Sequence, residues 1–254
     1  MSTIVLYPAP GMGHLVSMVE LGKFIIAHHP QYEIIILTVT PPFSTTATAA
    51  YVKGVSAAIT FHSLPAVTLP LPLDSYTIDS LIHHLIYLSI PHVRQFLQSH
   101  CSDSSVSAFV VDMFCSSALA VSDDLNIPGY FFFTSGANSL STLMYLPTLH
   151  ESTEKSYKDM EEHEMLHIPG VPPTPPSDMM LPVLDRNGPG YGAFLELAAQ
   201  IEKSSGIIIN TFNSLEKRVL ESISGGDCVP DGNTPPLFCV GPLIAKSLFR
   251  EGAA

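Results

Sequence analysis

Charge is scarce in this chain. Asp, Glu, Lys and Arg make up 13% of its 254 residues, about half the usual share. Only 11 residues are Lys or Arg against 23 Asp or Glu, for a formal net charge of −12. The few basic residues are scattered, which argues against nucleic acid or an anionic membrane surface as partner. Cysteine is also sparse: Cys101, Cys115, Cys228 and Cys239 form no Cys-x-x-Cys. That pattern reads as reduced thiols in a cytoplasmic protein, not as a disulfide framework. No Asn-x-Ser/Thr sequon occurs, in keeping with the same compartment. No apolar run is long enough to span a bilayer. The first one, Ile4 to Tyr7, is too short for a signal peptide. No Gly-x-x-x-x-Gly-Lys-Ser/Thr is present. Gly11-Met12-Gly13-His14 starts like a dinucleotide fingerprint, but Val16 stands where the third glycine belongs and no ribose-binding acid is evident. P-loop NTPase and nicotinamide dehydrogenase readings are therefore weak.

Apolar residues, by contrast, are plentiful at 46%. Such a chain can bury a large core and has little polar surface to cover itself, which points to an apolar partner or a deep apolar pocket. Its length is long for one sheet domain and short for two.

The stretch TIVLYPAPGMGHLVSM, Thr3 to Met18, organises the rest. Ile4 to Tyr7 predicts a strand buried on both faces. Pro8, Pro10, Gly11 and Gly13 predict a tight loop, and Val16 to Ile25 a helix. Further strands are predicted at Glu33–Val39, ended by Pro41-Pro42, and at Ala58–Leu64, Val106–Val111, Tyr130–Phe133, Gly206–Asn210 and Leu237–Val240. Helices are predicted at Ile78–Gln98 with a kink at Pro91, and at Ser116–Leu125, Gly136–Leu149, Ala193–Glu202 and Ser214–Ser222. Ser44 to Ala50 reads as small and polar, and Pro65 to Pro72 as a loop. His150 to Gly190, charged and then proline-rich, reads as a long irregular excursion. There is no internal repeat. The alternation predicts an α/β fold, a Rossmann-like parallel sheet with helices on both faces.

His14 falls where the first loop becomes a helix, at the carboxyl edge of such a sheet, where open α/β folds bind ligands. It is either a satisfied capping residue or a base, because a helix N-terminus disfavours the protonated imidazole. Asp112 closes SAFVVD on the same edge. It is either an N-cap or the carboxylate that orients His14 and stabilises its imidazolium. His163-Glu164-Met165-Leu166-His167 spells His-Glu-x-x-His, which on a stable helix would bind zinc. Here the flanks are charged and Pro169-Gly170 follows at once, so a solvated loop is the plainer reading. Phe114, Met144, Met179, Met180 and Phe194 read as core more readily than as pocket.

PAPGMGHLVSMVELGKFI, FVVDMFCSSALAVSDDLNIPGYFFFTSGANSL, IPGVPP, GIIINTFNSLE and VGPL, in this order, resemble plant UDP-sugar-dependent glycosyltransferases. The resemblance implies a GT-B enzyme of two Rossmann-like halves that inverts at the anomeric carbon without a metal or resident cofactor, the UDP-sugar being a co-substrate. It implies that His14 is the base and Asp112 its partner. It places Thr134 at a position contacting the donor sugar or its phosphate, Phe114 in the acceptor pocket, and Ile86, Leu143, Met180 and Phe194 on segments lining that pocket.

The chain departs from the family in length. It has no tryptophan, whereas the family's donor-binding box is rich in tryptophan, histidine and glycine, and it stops just after VGPL. The expectation is an acceptor-binding domain over 1–243 and the start of a linker or tail over 244–254, with the donor-binding half absent. Expected partners are a small phenolic or other apolar acceptor and a UDP-sugar, most simply UDP-glucose, reached through the other half. By itself the chain is expected to be inactive or nearly so. The alternatives are a non-catalytic small-molecule-binding module and, remotely, a zinc peptidase.

Overall fold

The computed structural model describes residues 2–40, 46–55, 57–69, 78–103 and 105–245. The proline pair Pro41-Pro42 and the tail from Lys246 onward lie outside them. The chain forms two compact units, one of residues 1–71, 82–129 and 242–254, the other of residues 72–81 and 130–241.

In the first unit β1 (Ser2–Tyr7), β2 (Tyr32–Thr38), β3 (Ile59–Ser63) and β4 (Val106–Asp112) run parallel in the order β3-β2-β1-β4. Leu6 lies opposite Ile36 on one side and Val110 on the other. Val5, Leu6, Tyr7, Ile34, Ile36, Leu37, Phe109 and Val111 are fully buried or within 2% of it. That two-sided burial is why these strands read as unbroken apolar runs. Helix α1 (Met12–His28) returns the chain between β1 and β2 and buries Leu15, Met18, Val19, Leu21 and Gly22, one stripe at helical spacing. At Gly22 a Cβ would sit 3.2–3.4 Å from Ile34, Ile59 and Leu6, so glycine lets this helix lie close on the sheet.

Helix α2 (Thr46–Gly54) was not legible as a helix. Its first five residues are threonine and alanine, its apolar stripe is weak, and alanine's high helix propensity was the main signal. Helix α3 (Ile78–Asp103) is longer than predicted and runs through Pro91. After β4 the predicted helix divides into a 3-10 segment, Met113–Ala118, and α4 (Leu119–Asp124).

In the second unit β5 (Gly129–Phe133), β6 (Gly206–Ile209) and β7 (Leu237–Cys239) are parallel in that order. Helices α5 (Ala137–Ser152), α6 (Pro189–Ile201) and α7 (Lys217–Ser224) complete it. The ends of the predicted excursion fall in α5 and α6; between those helices it holds only 3-10 turns at Tyr157–Asp159, Pro176–Asp178 and Leu181–Val183 and one bridge between Leu166 and Thr174. It packs through a cluster of Leu146, Leu149, Tyr157, Met179, Val183 and Tyr191. Arg186 fastens it: Nη1 donates to the carbonyls of His150 (3.0 Å) and Thr153 (2.5 Å), and the guanidinium lies 5.4 Å from the Tyr191 ring.

Candidate active site

The loop after β1 is shaped by Gly11. Its φ of 143° lies where L side chains are strained, and its carbonyl accepts the first helical bond, from Leu15 N at 3.0 Å. His14 is therefore the third residue of α1. It lies at the helix end whose exposed N–H groups oppose a positive charge.

Asp112 is the last residue of β4, one strand over from β1. Its side chain has no solvent exposure, while that of His14 keeps 27%. Asp112 Oδ2 lies 2.8 Å from His14 Nδ1, and Oδ1 accepts from Phe114 N at 3.1 Å, capping the 3-10 segment. One oxygen of Asp112 thus caps the 3-10 segment while the other holds the imidazole. The carboxylate fixes the proton on Nδ1 and leaves Nε2 as the open lone pair, which no described residue occupies. Burial by itself pushes the His14 imidazole down. The hydrogen bond and the charge of Asp112 outweigh it, and the pKa lies above its ordinary value. The Phe114 ring stands edge-on to the imidazole with centroids 5.3 Å apart, and Phe114 is 38% exposed. An apolar ring on an otherwise covered strand end can meet a flat apolar ligand beside the imidazole.

Behind this pair the interior is uncharged. Cys115 is fully buried, and burial, with Asp112 adding to it, pushes its thiol well up. Tyr7 is fully buried and stacks on Phe109 at 6.3 Å. Burial, and then Cys115, push its hydroxyl well above the ordinary range. That hydroxyl makes no hydrogen bond of standard geometry among the described residues. Ser89 on α3 is near enough to pull the pKa partly back down; its hydroxyl donates to the Leu85 carbonyl at 2.7 Å and keeps lone pairs facing Tyr7. Nothing in the apolar run of β1 signalled this buried hydroxyl.

The other sequence-predicted residues lie on separate elements. Ile86 on α3 is 1% exposed and Leu143 on α5 is 0%. Both are closed into the core by the helix faces they occupy. Met180 and Phe194 are partly buried against the core cluster of the second unit. Thr134 is half-buried in the three-residue turn between β5 and α5. The His-Glu-x-x-His segment is not helical: residues 163–167 form turns and a bridge residue, and Glu164 pairs with Lys155 at 3.0 Å. The two histidines therefore do not share a helix face. Among the described residues no group of three or more His, Cys, Asp or Glu could hold a metal. The zinc-peptidase alternative lacks its geometry.

No family model matches the chain. Curated plant proteins do. It is 42% identical over 257 residues to an anthocyanidin 5,3-O-glucosyltransferase of a Rosa hybrid cultivar, which covers 95% of this chain and 53% of that protein. It is 41% identical over 263 residues to a phloretin 2'-O-glucosyltransferase of Malus domestica, covering 99% of this chain and 54% of that protein. The chain belongs to the plant UDP-glycosyltransferases. The UDP-glycosyltransferase fold matches as well: UGT2 of Phytolacca americana, solved with UDP-2fluoro-glucose and pterostilbene, superimposes with a TM-score of 0.87 at 31% identity, covering 97% of this chain and 55% of that one. This Rossmann-like α/β arrangement corresponds to the N-terminal domain of such UDP-glycosyltransferases. The chain spans about half the length of the curated relatives it matches. No helix among the described residues is long and apolar enough to cross a membrane.

Proposed function

We propose that this chain is the acceptor-binding, base-bearing half of an inverting transferase that moves a sugar from a UDP-sugar to a hydroxyl of a small phenolic or other apolar plant metabolite. The relatives' names point to glucose as the sugar. The observation that carries this reading is the His14 Nδ1–Asp112 Oδ2 contact of 2.8 Å on a carboxylate with no exposure. In the proposed step the acceptor hydroxyl gives its proton to His14 Nε2 as its oxygen attacks the anomeric carbon. The bond from that carbon to the diphosphate oxygen breaks, and UDP leaves from the opposite face. The buried carboxylate stabilises the imidazolium. Phenols suit an imidazole base because their protons are acidic enough for it to take. Phe114 would stack against the acceptor and Thr134 would contact the donor. The proposed step uses no metal ion and no resident cofactor.

The test combines purified chain, UDP-glucose and a set of phenols, with and without a separately supplied donor-binding half. Glucoside formed only in the combined mixture supports the reading. Acceptor binding without turnover in that mixture would instead favour the non-catalytic binding module.

A further inference from the structure

We propose that Glu216 is a positioning residue that holds Thr134 in place from the start of α7; the proposal rests on the donor-contact reading of Thr134. Only Thr134, Ser135 and Gly136 separate β5 from α5. This short turn is pinned at both ends. At its start Phe133 O accepts from Asn210 N at 3.1 Å. At its end Ala137 N donates to Glu216 Oε2 at 2.8 Å and Asn138 N to Oε1 at 3.1 Å. Helix α5 has Gly136 at its N-cap and so no capping side chain of its own. Glu216 supplies the missing anion from 79 residues away. The carboxylate also fills the space a side chain at position 136 would need, since a Cβ there would lie 2.9 Å from Oε1 and 3.1 Å from Oε2.

Glu216 is itself held. Thr211, 2% exposed, donates its hydroxyl to Oε2 at 2.5 Å. Gly241 N donates to Thr211 O at 2.9 Å, and a Cβ on Gly241 would lie 2.6 Å from Thr211 N. The ends of β5, β6 and β7 thus meet in one knot with the carboxylate at its centre. Burial alone would raise the Glu216 pKa. The bonds from Ala137, Thr211 and Asn138 outweigh it and hold the pKa below its ordinary value, so the anion persists at neutral pH. An ordinary N-cap would stabilise α5 alone. This one also ties the Thr134 turn to Thr211 and the start of α7, so the direction of the Thr134 hydroxyl depends on a distant residue.

Two readouts test it. In the chain itself, amide resonances of Ala137 and Asn138 should follow the Glu216 carboxyl, titrating below the usual glutamate range. Glu216→Gln should abolish that titration and speed exchange of both amides about tenfold. Unaltered amides would overturn the lock. In the mixture with the donor-binding half, Glu216→Gln should raise KM for UDP-glucose about tenfold, with kcat and the acceptor KM within about twofold. Thr134→Ala combined with Glu216→Gln should be no worse than Thr134→Ala alone. Additive effects, or an unchanged donor KM in Glu216→Gln where Thr134→Ala raises it, overturn the proposal and leave the donor-contact reading standing. A donor KM unmoved by Thr134→Ala overturns that reading and the positioning role with it, while the amides still report whether the lock exists.

Discussion

Replacing Asp112 by asparagine separates the effect of its charge from that of its shape. The carboxylate has two oxygens and two donors to serve, His14 Nδ1 at 2.8 Å and Phe114 N at 3.1 Å. The amide of the variant has one acceptor oxygen. Asparagine is as good an N-cap as aspartate, so that oxygen stays with Phe114 N and the NH2 turns toward His14. Two donors then face each other unless the imidazole moves its proton to Nε2, the tautomer that cannot take a proton from an acceptor. If the two donors stay opposed, the lost bond at this buried site costs about 1–3 kcal/mol; if the tautomer changes, the bond survives and the base does not.

A pH-dependent part adds to this. In the parent, Asp112 overcomes the downward push of burial and raises the His14 pKa. A raised folded-state pKa contributes stability that is full below the unfolded value and is lost as pH rises through the folded one. In the variant only burial remains, so protonating His14 opposes folding. The stability gap between the two proteins should therefore widen from pH 8 to pH 5, by about 1.4 kcal/mol for each unit separating the two His14 values. Urea unfolding at the two pH values and an NMR titration of the His14 ring would measure both parts. A gap that is the same at both pH values, or a His14 pKa not lowered in the variant, would refute the reasoning.

Three further outcomes are expected. Tyr7→Phe should leave urea-unfolding stability within about 0.5 kcal/mol or raise it, because the buried hydroxyl it removes makes no hydrogen bond of standard geometry among the described residues; a loss above about 1.5 kcal/mol would show that the hydroxyl has a partner. Gly11→Ala should cost about 1–3 kcal/mol through its φ of 143° alone, since the added Cβ meets His14 Cδ2 at an ordinary 3.5 Å. Leu143→Ala should cost about 2–5 kcal/mol in thermal or urea unfolding, because the side chain is fully buried; a loss below about 1 kcal/mol would contradict that packing.

The parts of the fold that were legible are those carried by local signals. The run Ile4–Tyr7, the Pro/Gly loop and the helical spacing from Val16 to Ile25 state strand, turn and helix within a few residues each, although the buried face proves to be Leu15, Met18, Val19, Leu21 and Gly22 and leaves Phe24 exposed. Because β1 and β4 are parallel neighbours, the residues at their carboxyl ends meet, and reading His14 and Asp112 as one pair needed only that topology. What was not legible depends on long-range contacts. Glu216 reaches back to Ala137 with nothing in NSLEKRV to announce it. Arg186 gathers carbonyls from the end of α5, and the excursion it fastens has no periodicity to read. The His-Glu-x-x-His segment shows the limit of a short motif. Its spacing needs a helix, and Gly170, at φ 76° and with no room for a Cβ beside Val219, ends any such path close behind it.

The central claim is that the imidazole of His14 takes the acceptor's proton. The most direct measurement is the rate of glucoside formation by parent and His14→Ala chains, each combined with the same donor-binding half, UDP-glucose and a phenol. A rate about 10²–10⁴-fold lower in the variant, with acceptor affinity retained, is the predicted result. Turnover within a few-fold of the parent would contradict it.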